Sequence, residues 1–276
     1  MSDLSMEYDK SKNLSTNAFT YSGYRFLNWN TKSDGSGQSY SDEQSVKNLI
    51  ATNGDTVTLY AQWVPNNHTV TFVDGLTHET ITQHQVNHGE SVTPPAYPVH
   101  TGYTPTGWDK TTSNITADTT ITVNYRANNY TIKFDKNSYR ATGTMPDMQM
   151  EYGQSDTLSR NAFALAGSSW VNWNTEANGS GRTYTDGQQV SNLVDVDGGE
   201  ITLYAQWMLN SHTVTFVDGL THKTITQRQV NHGESVTPPA YPAHTCYTPT
   251  GWDKTASNIT ADTTITVNYR ANNYTI

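Results

Sequence analysis

A mainly β array of four small tandem modules is the architecture this sequence predicts, on three observations. The first is internal repetition. Shifted by 144 residues, the 276-residue chain aligns with itself, Tyr8 falling on Tyr152, Trp29 on Trp173, Trp63 on Trp207 and Trp108 on Trp252. The second is a period-two alternation of apolar residues in short runs. The third is composition: 44 threonines, 11% aromatic residues and only 15% charged ones suit the two faces of many small sheets.

The same composition excludes several classes. Disordered chains couple high net charge to few aromatics, the reverse of what is found. No run approaches ~18 apolar residues, so no membrane insertion is expected in this segment. An acidic chain of net charge −9 with scattered lysines lacks the basic stripe a nucleic-acid partner requires. Met1–Tyr8 has neither the basic flank nor the apolar run of a secretory signal. One cysteine, Cys246, excludes an internal disulfide framework.

Residues 68–132 and 212–276 differ at five of 65 positions, Glu79/Lys223, His84/Arg228, Val99/Ala243, Gly102/Cys246 and Thr112/Ala256. Residues 5–63 and 149–207 agree at roughly half their positions. Each period divides again, because both halves run from a first strand (YTIKF, HTVTF) through a Gly turn and a Trp-bearing strand to a closing strand. The expected modules are therefore 1–63 (long type, lacking its first strand), 64–127 (short), 128–207 (long) and 208–271 (short), with 272–276 starting another. Met1 falls in register with Met145, inside a module. The chain thus reads as a fragment of a longer array, which accounts for the missing leader and anchor.

Taken in order, the elements justify themselves locally. The first strands place Val70 and Phe72, or Ile132 and Phe134, on one face. Asp74-Gly75 signals a two-residue hairpin. Thr80–Val86 sets Ile81 and Val86 on opposite parities, so it is either bulged or a polar edge strand. Ser41–Gln44 and Thr185–Gln188 fit capping boxes ahead of Val46, Leu49 and Ile50, or Val190, Leu193 and Val194, with Gly54 and Gly198 beyond. A helix of a turn or two follows, in the long modules only; the short ones cross directly through Ser113–Asp118. The closing strands alternate: Val57, Leu59, Ala61 and Trp63 in Thr56–Trp63, and Ile121, Val123 and Tyr125 in Thr120–Tyr125. Junctions of about four residues follow, at Val64–Asn67, Arg126–Asn129 and Met208–Ser211.

The runs GYRFLNWNTKSDGSGQSY, VKNL and GDTVTLYAQW within 23–63 resemble the Listeria–Bacteroides repeat, also called the internalin-type B repeat. Residues 167–207 repeat them, with Ser168 for Tyr24 and Trp170 for Phe26. The short modules resemble a compact variant through HTGYTPTGWD and ITADTTITVNY, with Tyr125 and Tyr269 where a Trp is expected. The resemblance implies β-grasp-like modules with at most one short helix and parallel first and last strands. It also implies an extracellular, cell-surface or cell-wall setting in bacteria.

Candidate functional residues are few. The tryptophans recur at module-fixed positions, and modules this small, without disulfide or metal, need large aromatics for a core. Ligand stacking would fall instead on the outward Tyr60, Tyr103 and Tyr204. The nine histidines all lie in the short modules, but His84 becomes Arg228 and no ligand spacing accompanies them, so no metal site is assigned. Asp195–Glu200 resembles the opening of a calcium loop, yet its counterpart Ala51–Thr56 loses most of the oxygens, and a turn is the better reading. Lys133 suggests an intramolecular cross-link, but the matching position is Thr71 and the closing strand has no Asn. Cys246 is one copy's deviation from Gly102. No catalytic residue and no cofactor are expected, since every notable residue occurs once per module.

The sequence therefore reads as a non-catalytic stalk segment of a bacterial surface adhesin that presents a distal domain, with neighbouring repeat modules as its partners. Strands of ~8–10 residues at ~3.3 Å make modules of ~30 Å, and four in line ~120 Å. The rival reading is a multivalent binding module for host glycan or mucin. The gap left by the absent first strand could also take Tyr274–Ile276 of another molecule by head-to-tail strand addition. The nine histidines offset the charge of −9 below roughly pH 6. Minimum solubility is expected near pH 5 as the histidines charge; a solubility curve flat from pH 4 to 7 would contradict it.

Overall fold

The computed structural model describes residues 1–276. They form two compact units, residues 1–100 with 104–126, and residues 101–103 with 127–276. Twenty strands and no helix make up the chain.

In the first unit, β1 (Lys12–Asn13) pairs with β4 (Ser45–Val46), while β2 (Tyr24–Asn30) lies between β3 (Ser39–Tyr40) and β5 (Tyr60–Pro65). The next sheet contains β6 (Asn67–Asp74), β7 (Thr80–Asn87), β8 (Tyr103–Trp108) and β9 (Thr119–Ala127), in the order β7-β6-β9-β8. In the second unit the long sheet runs β11-β10-β16-β13-β14, from β10 (Asn129–Asp135), β11 (Met148–Glu151), β13 (Ser168–Asn174), β14 (Thr183–Tyr184) and β16 (Gly199–Leu209). Beside it β12 (Ser155–Thr157) pairs with β15 (Gln189–Ser191). The last sheet repeats the short pattern, β18-β17-β20-β19, with β17 (Ser211–Asp218), β18 (Thr224–Asn231), β19 (Tyr247–Trp252) and β20 (Thr263–Ala271).

First and last strands are neighbours and parallel in three of these sheets: β6 with β9, β10 with β16, and β17 with β20. Alternation explains their burial. Val70 and Phe72 of β6 and Ile121 and Val123 of β9 have no exposed surface, and neither have Ile132 of β10 and Leu203 and Ala205 of β16. The tryptophans pack into these cores: Trp173 is fully buried among Phe134, Phe163 and Trp170, and Trp108 lies edge-on to Phe72. The first sheet lacks a parallel partner for its closing strand. Accordingly β5 covers Tyr60–Pro65, six residues, where β16 has 11, and Val57 and Leu59 fall outside any strand.

Three local expectations are corrected. The short helix of the long modules is absent. Ser41 N–H donates to Gln44 Oε1 and Gln44 N–H to Ser41 O, closing a turn instead of starting a helix. Left-handed backbone at Glu43 and Asn48 (φ 56° and 53°), and at Gly187 and Asn192, breaks any right-handed continuation. Val46 and Val190 reach the core from the strands β4 and β15. The β-grasp arrangement is therefore not realised in full: its parallel central pair is present, but the helix across it is replaced by these short ribbons. The Asp74-Gly75 hairpin is also longer than two residues, since Gly75–Glu79 separates β6 from β7. Gly75 is needed because a Cβ there would lie 2.2 Å from the Val123 carbonyl oxygen; the positive φ of this loop belongs to His78. Thr80–Val86 proves to be both alternatives at once, an edge strand with a bulge opposite Phe72 and Val73.

The junctions are shorter than expected, with one asparagine between strands: Asn66, Asn128 and Asn210. A second asparagine organises the GSG turn. Buried Asn174 turns Nδ2 toward Gly179 O, Gly181 O and Thr183 Oγ1, while its Oδ1 accepts from Glu176 N–H and Gly181 N–H. Asn30 does the same around Gly35, Gly37 and Ser39. Removing such a group leaves several partners unpaired, at about 1–3 kcal/mol for each one that stays buried. Asn174→Ala is therefore expected to lower the urea midpoint of the third module, read by Trp173 fluorescence, whereas Asn178→Ala leaves it within error. Equal effects would contradict the assignment.

Candidate functional site: outward tyrosines and the histidines of the short modules

The tyrosines singled out from sequence do not converge. Tyr60 lies on β5, 42% exposed and opposite Asn30. Its counterpart Tyr204 is only half-buried on β16, in the other unit. Tyr103, also half-buried, stands edge-on to Tyr152 with ring centroids 5.8 Å apart. Tyr274 and Ile276 are exposed and belong to no strand.

Exposed aromatic rings that lean on other rings lie elsewhere. Tyr97 is 42% exposed and leans on Trp108 at 5.4 Å and 38°, and Tyr241 repeats this on Trp252 at 5.5 Å and 36°. Tyr21 stacks on Tyr24 at 4.3 Å and meets Trp63 edge-on. The signal for the first two was the PPAYP run, whose prolines hold the backbone extended beside a Trp strand.

The histidines, by contrast, form defined contacts. Asp74 ends β6 almost fully buried. Its Oδ1 accepts from Leu76 and Thr77 N–H, capping the loop, and its Oδ2 lies 2.6 Å from His100 Nε2. Tyr125 packs edge-on to His100 and donates its hydroxyl to Pro98 O. This cluster fastens the extended segment between β7 and β8 to the sheet, and Asp218, His244 and Tyr269 rebuild it in the last module. Burial alone would push the Asp74 carboxyl up. The hydrogen bond with His100 and the two backbone donors outweigh that and hold it below the ordinary carboxylate value. Burial, together with the Asp74 charge, pushes the Tyr125 hydroxyl up. His68 with His88, and His212 with His232, form two further pairs, each with ring nitrogens 3.1 Å apart.

None of this constitutes a metal centre: no group of three or more His, Cys, Asp or Glu side chains is assembled to hold an ion. Of the run Asp195–Glu200, Asp195–Gly198 is a turn that secures the start of β10, and Gly199 and Glu200 already belong to β16. Asn128 Nδ2 donates to Asp195 O, Asn129 N–H to Asp197 Oδ1 and Gly198 N–H to Asn129 O. Lys133 pairs with Glu200 at 2.7 Å. Cys246 is exposed, with the left-handed φ of 65° that Gly102 (77°) adopts without strain.

The depressed Asp74 carboxyl sets a pH dependence. Its contribution is complete above the unfolded value of about 3.9 and is lost as pH falls through the lower folded value. Asp74→Asn combined with Asp218→Asn is therefore expected to lower Tm at pH 7, with the difference from the parent shrinking only as pH falls from about 4 through the lower folded value. A Tm difference constant from pH 7 to 2 would contradict this.

The family model of the Listeria–Bacteroides repeat domain matches at residues 1–62, 68–128, 130–206 and 212–276. Two proteins of Evansella cellulosilytica are each 28% identical. One, provisionally named a membrane protein, aligns over 225 residues, 74% of this chain and 30% of its own length. The other, provisionally named a Gly-rich membrane protein, aligns over 204 residues, 70% of this chain and 22% of its own. The chain thus spans less than a third of either relative. No helix here is long and apolar enough to cross a membrane. Among solved structures, the type 2 repeat of the mucus binding protein MUB from Lactobacillus reuteri aligns with 52% of this chain and 99% of its own, at 12% identity and a TM-score of 0.15. The Mub-RV crystal structure aligns with 51% of this chain and 98% of its own, at 14% identity and the same TM-score. With the family model matching nearly every residue, the chain belongs to the Listeria–Bacteroides repeat family and carries four tandem copies of the repeat.

Proposed function

We propose that this chain is a non-catalytic spacer, a segment of the extracellular stalk of a bacterial surface adhesin that carries a distal domain away from the cell. The observation behind this reading is the parallel pairing of first and last strands. The chain enters such a module at one end of the sheet and leaves at the other, through a single asparagine. Force applied along the chain then pulls the two paired strands in opposite directions, and their hydrogen bonds are loaded together in shear. Between β10 and β16 the pairing extends over six residue pairs, from Tyr130 with Gly199 to Asp135 with Tyr204.

Single-molecule pulling on the 276-residue chain tests this. The sheet closed by β5 lacks the parallel partner, so one event is expected at distinctly lower force than the other three. Four events of equal force would contradict a shear-bearing role for the parallel pair. A second reading, multivalent recognition of a host glycan or mucin, draws on the exposed Tyr97 and Tyr241, each leaning on a half-buried tryptophan. Glycan binding that rises with module number and is lost on replacing Tyr97 and Tyr241 would favour that reading.

A further inference from the structure

The paired histidines sit where one module is fastened to the next. In the first unit, His68 on β6 and His88 beyond β7 face each other through Nε2 and Nδ1 at 3.1 Å. One ring supplies an N–H and the other a lone pair, so the contact survives only while at least one ring is neutral. His88 also makes the junction. Its backbone N–H donates to Asn66 O, and Asn66 N–H donates to Gly23 O, both at 2.8 Å. The imidazole lies against Gly23 so closely that a Cβ there would be 2.0 Å from it.

The second unit repeats the device. His212 and His232 are 3.1 Å apart, His232 N–H donates to Asn210 O at 2.8 Å, and Asn210 N–H donates to Gly167 O at 2.9 Å. A Cβ on Gly167 would lie 2.1 Å from the His232 ring. The long module of this unit uses the same relay with different rings. Tyr130 and Tyr152 stand at the two histidine positions, Tyr152 N–H donates to Asn128 O, Asn128 N–H donates to Gly102 O, and the Tyr152 ring covers Gly102. Phenols do not titrate between pH 5 and 8, whereas imidazoles do.

The groups facing these rings are few. Asp118 Oδ1 lies 3.9 Å from His68 Nδ1 and already accepts from Thr69 N–H, so it offers a counter-charge to one ring only. Tyr24 approaches His88 from the first module, and Glu90 is engaged by Asn87. In the second unit Asp262 stands 4.0 Å from His212, Ser168 replaces Tyr24, and Glu234 is engaged by Asn231.

We propose that the entry into each short module is an acid-sensitive hinge, shut while its two histidines share one hydrogen bond and loosened when both rings are protonated. The tyrosine-built entry into the long module stays shut. Opening the hinge requires no unfolding of either sheet, because the lost contacts are the ring pair, the ring on glycine and the two relay hydrogen bonds.

Amide hydrogen exchange on the whole 276-residue chain tests the proposal without any variant, at pH 7.5 and pH 5 with intrinsic rates divided out. Protection of Asn66, His88, Asn210 and His232 is expected to fall about tenfold, the net contribution of the one ring–ring hydrogen bond, while Asn128 and Tyr152 keep theirs. Unchanged protection at the four histidine-junction amides, or an equal fall at all six, would overturn it. A second arm replaces His68, His88, His212 and His232 by tyrosine, the residue at both corresponding positions of the long module, and should abolish the pH effect. If that variant does not fold, His68→Gln with His212→Gln removes one titrating ring from each pair and should at least halve the effect on the logarithmic scale. A full effect in either folded variant would also overturn the proposal.

Discussion

The constraint on which the rest of this structure depends is the parallel pairing of the strand that opens a module with the strand that closes it. Two parallel neighbours place the chain's entry and exit at opposite ends of the sheet, which an antiparallel pair would not. That geometry lets a single residue, Asn66, Asn128 or Asn210, carry the chain from one closing strand into the next opening strand. It also demands burial on the core face, since the pair lies in the middle of the sheet. Ile132, Leu203 and Ala205, like Val70, Phe72, Ile121 and Val123, are completely enclosed. Where the opening strand is missing, the closing one shortens from 11 residues to six.

Long and short modules solve one further problem, holding a long irregular segment on a small sheet, by different chemistry. In the third module Trp207 donates its indole N–H to Lys136 O, and buried Asn174 knots the GSG turn. The short modules have neither. Tyr125 takes the position of the tryptophan and donates to Pro98 O, and Asp74 joins its own loop to His100. The substitution of Trp by Tyr thus travels with an aspartate and a histidine, because a shorter polar tip must find its acceptor in a different strand connection. It also accounts for His100 and His244, two of the nine histidines of the short modules.

The glycines of the strand-entry turns have a role that only the assembled junction reveals. Gly23, Gly102 and Gly167 adopt positive φ, which a turn alone would explain. Each is also overlaid by a ring of the following module, His88, Tyr152 or His232, leaving no room for a Cβ. The relay of backbone hydrogen bonds through the intervening asparagine then fixes the ring over the glycine. Cys246 holds the same left-handed conformation at greater cost, so its backbone role is preserved while the flat face is lost.

Repetition, the first and Trp-bearing strands and the inward placing of tryptophans could be read from the chain alone, because they depend on periodicity and on side chains that are apolar wherever they lie. Val70, Phe72 and Trp173 needed no tertiary knowledge to be placed in a core. The parallel first–last pairing came only through the family resemblance, since no local pattern distinguishes a parallel neighbour from an antiparallel one. The capping-box motifs misled for a related reason: Ser41 and Gln44 make the expected contact, but left-handed Glu43 and Asn48 turn it into a loop that delivers Val46 to the sheet. Strand parity turns Tyr60 outward, and it is exposed, but parity does not say that Tyr103 stands edge-on to Tyr152. The Asp74–His100 fastening and the His68–His88 pair join residues 26 and 20 positions apart, and they exist only once the sheet has folded. Sequence determined the period and the inward faces, through hydrophobic burial; tertiary structure decided the junctions and polar fastenings, through distances between groups that the chain keeps apart.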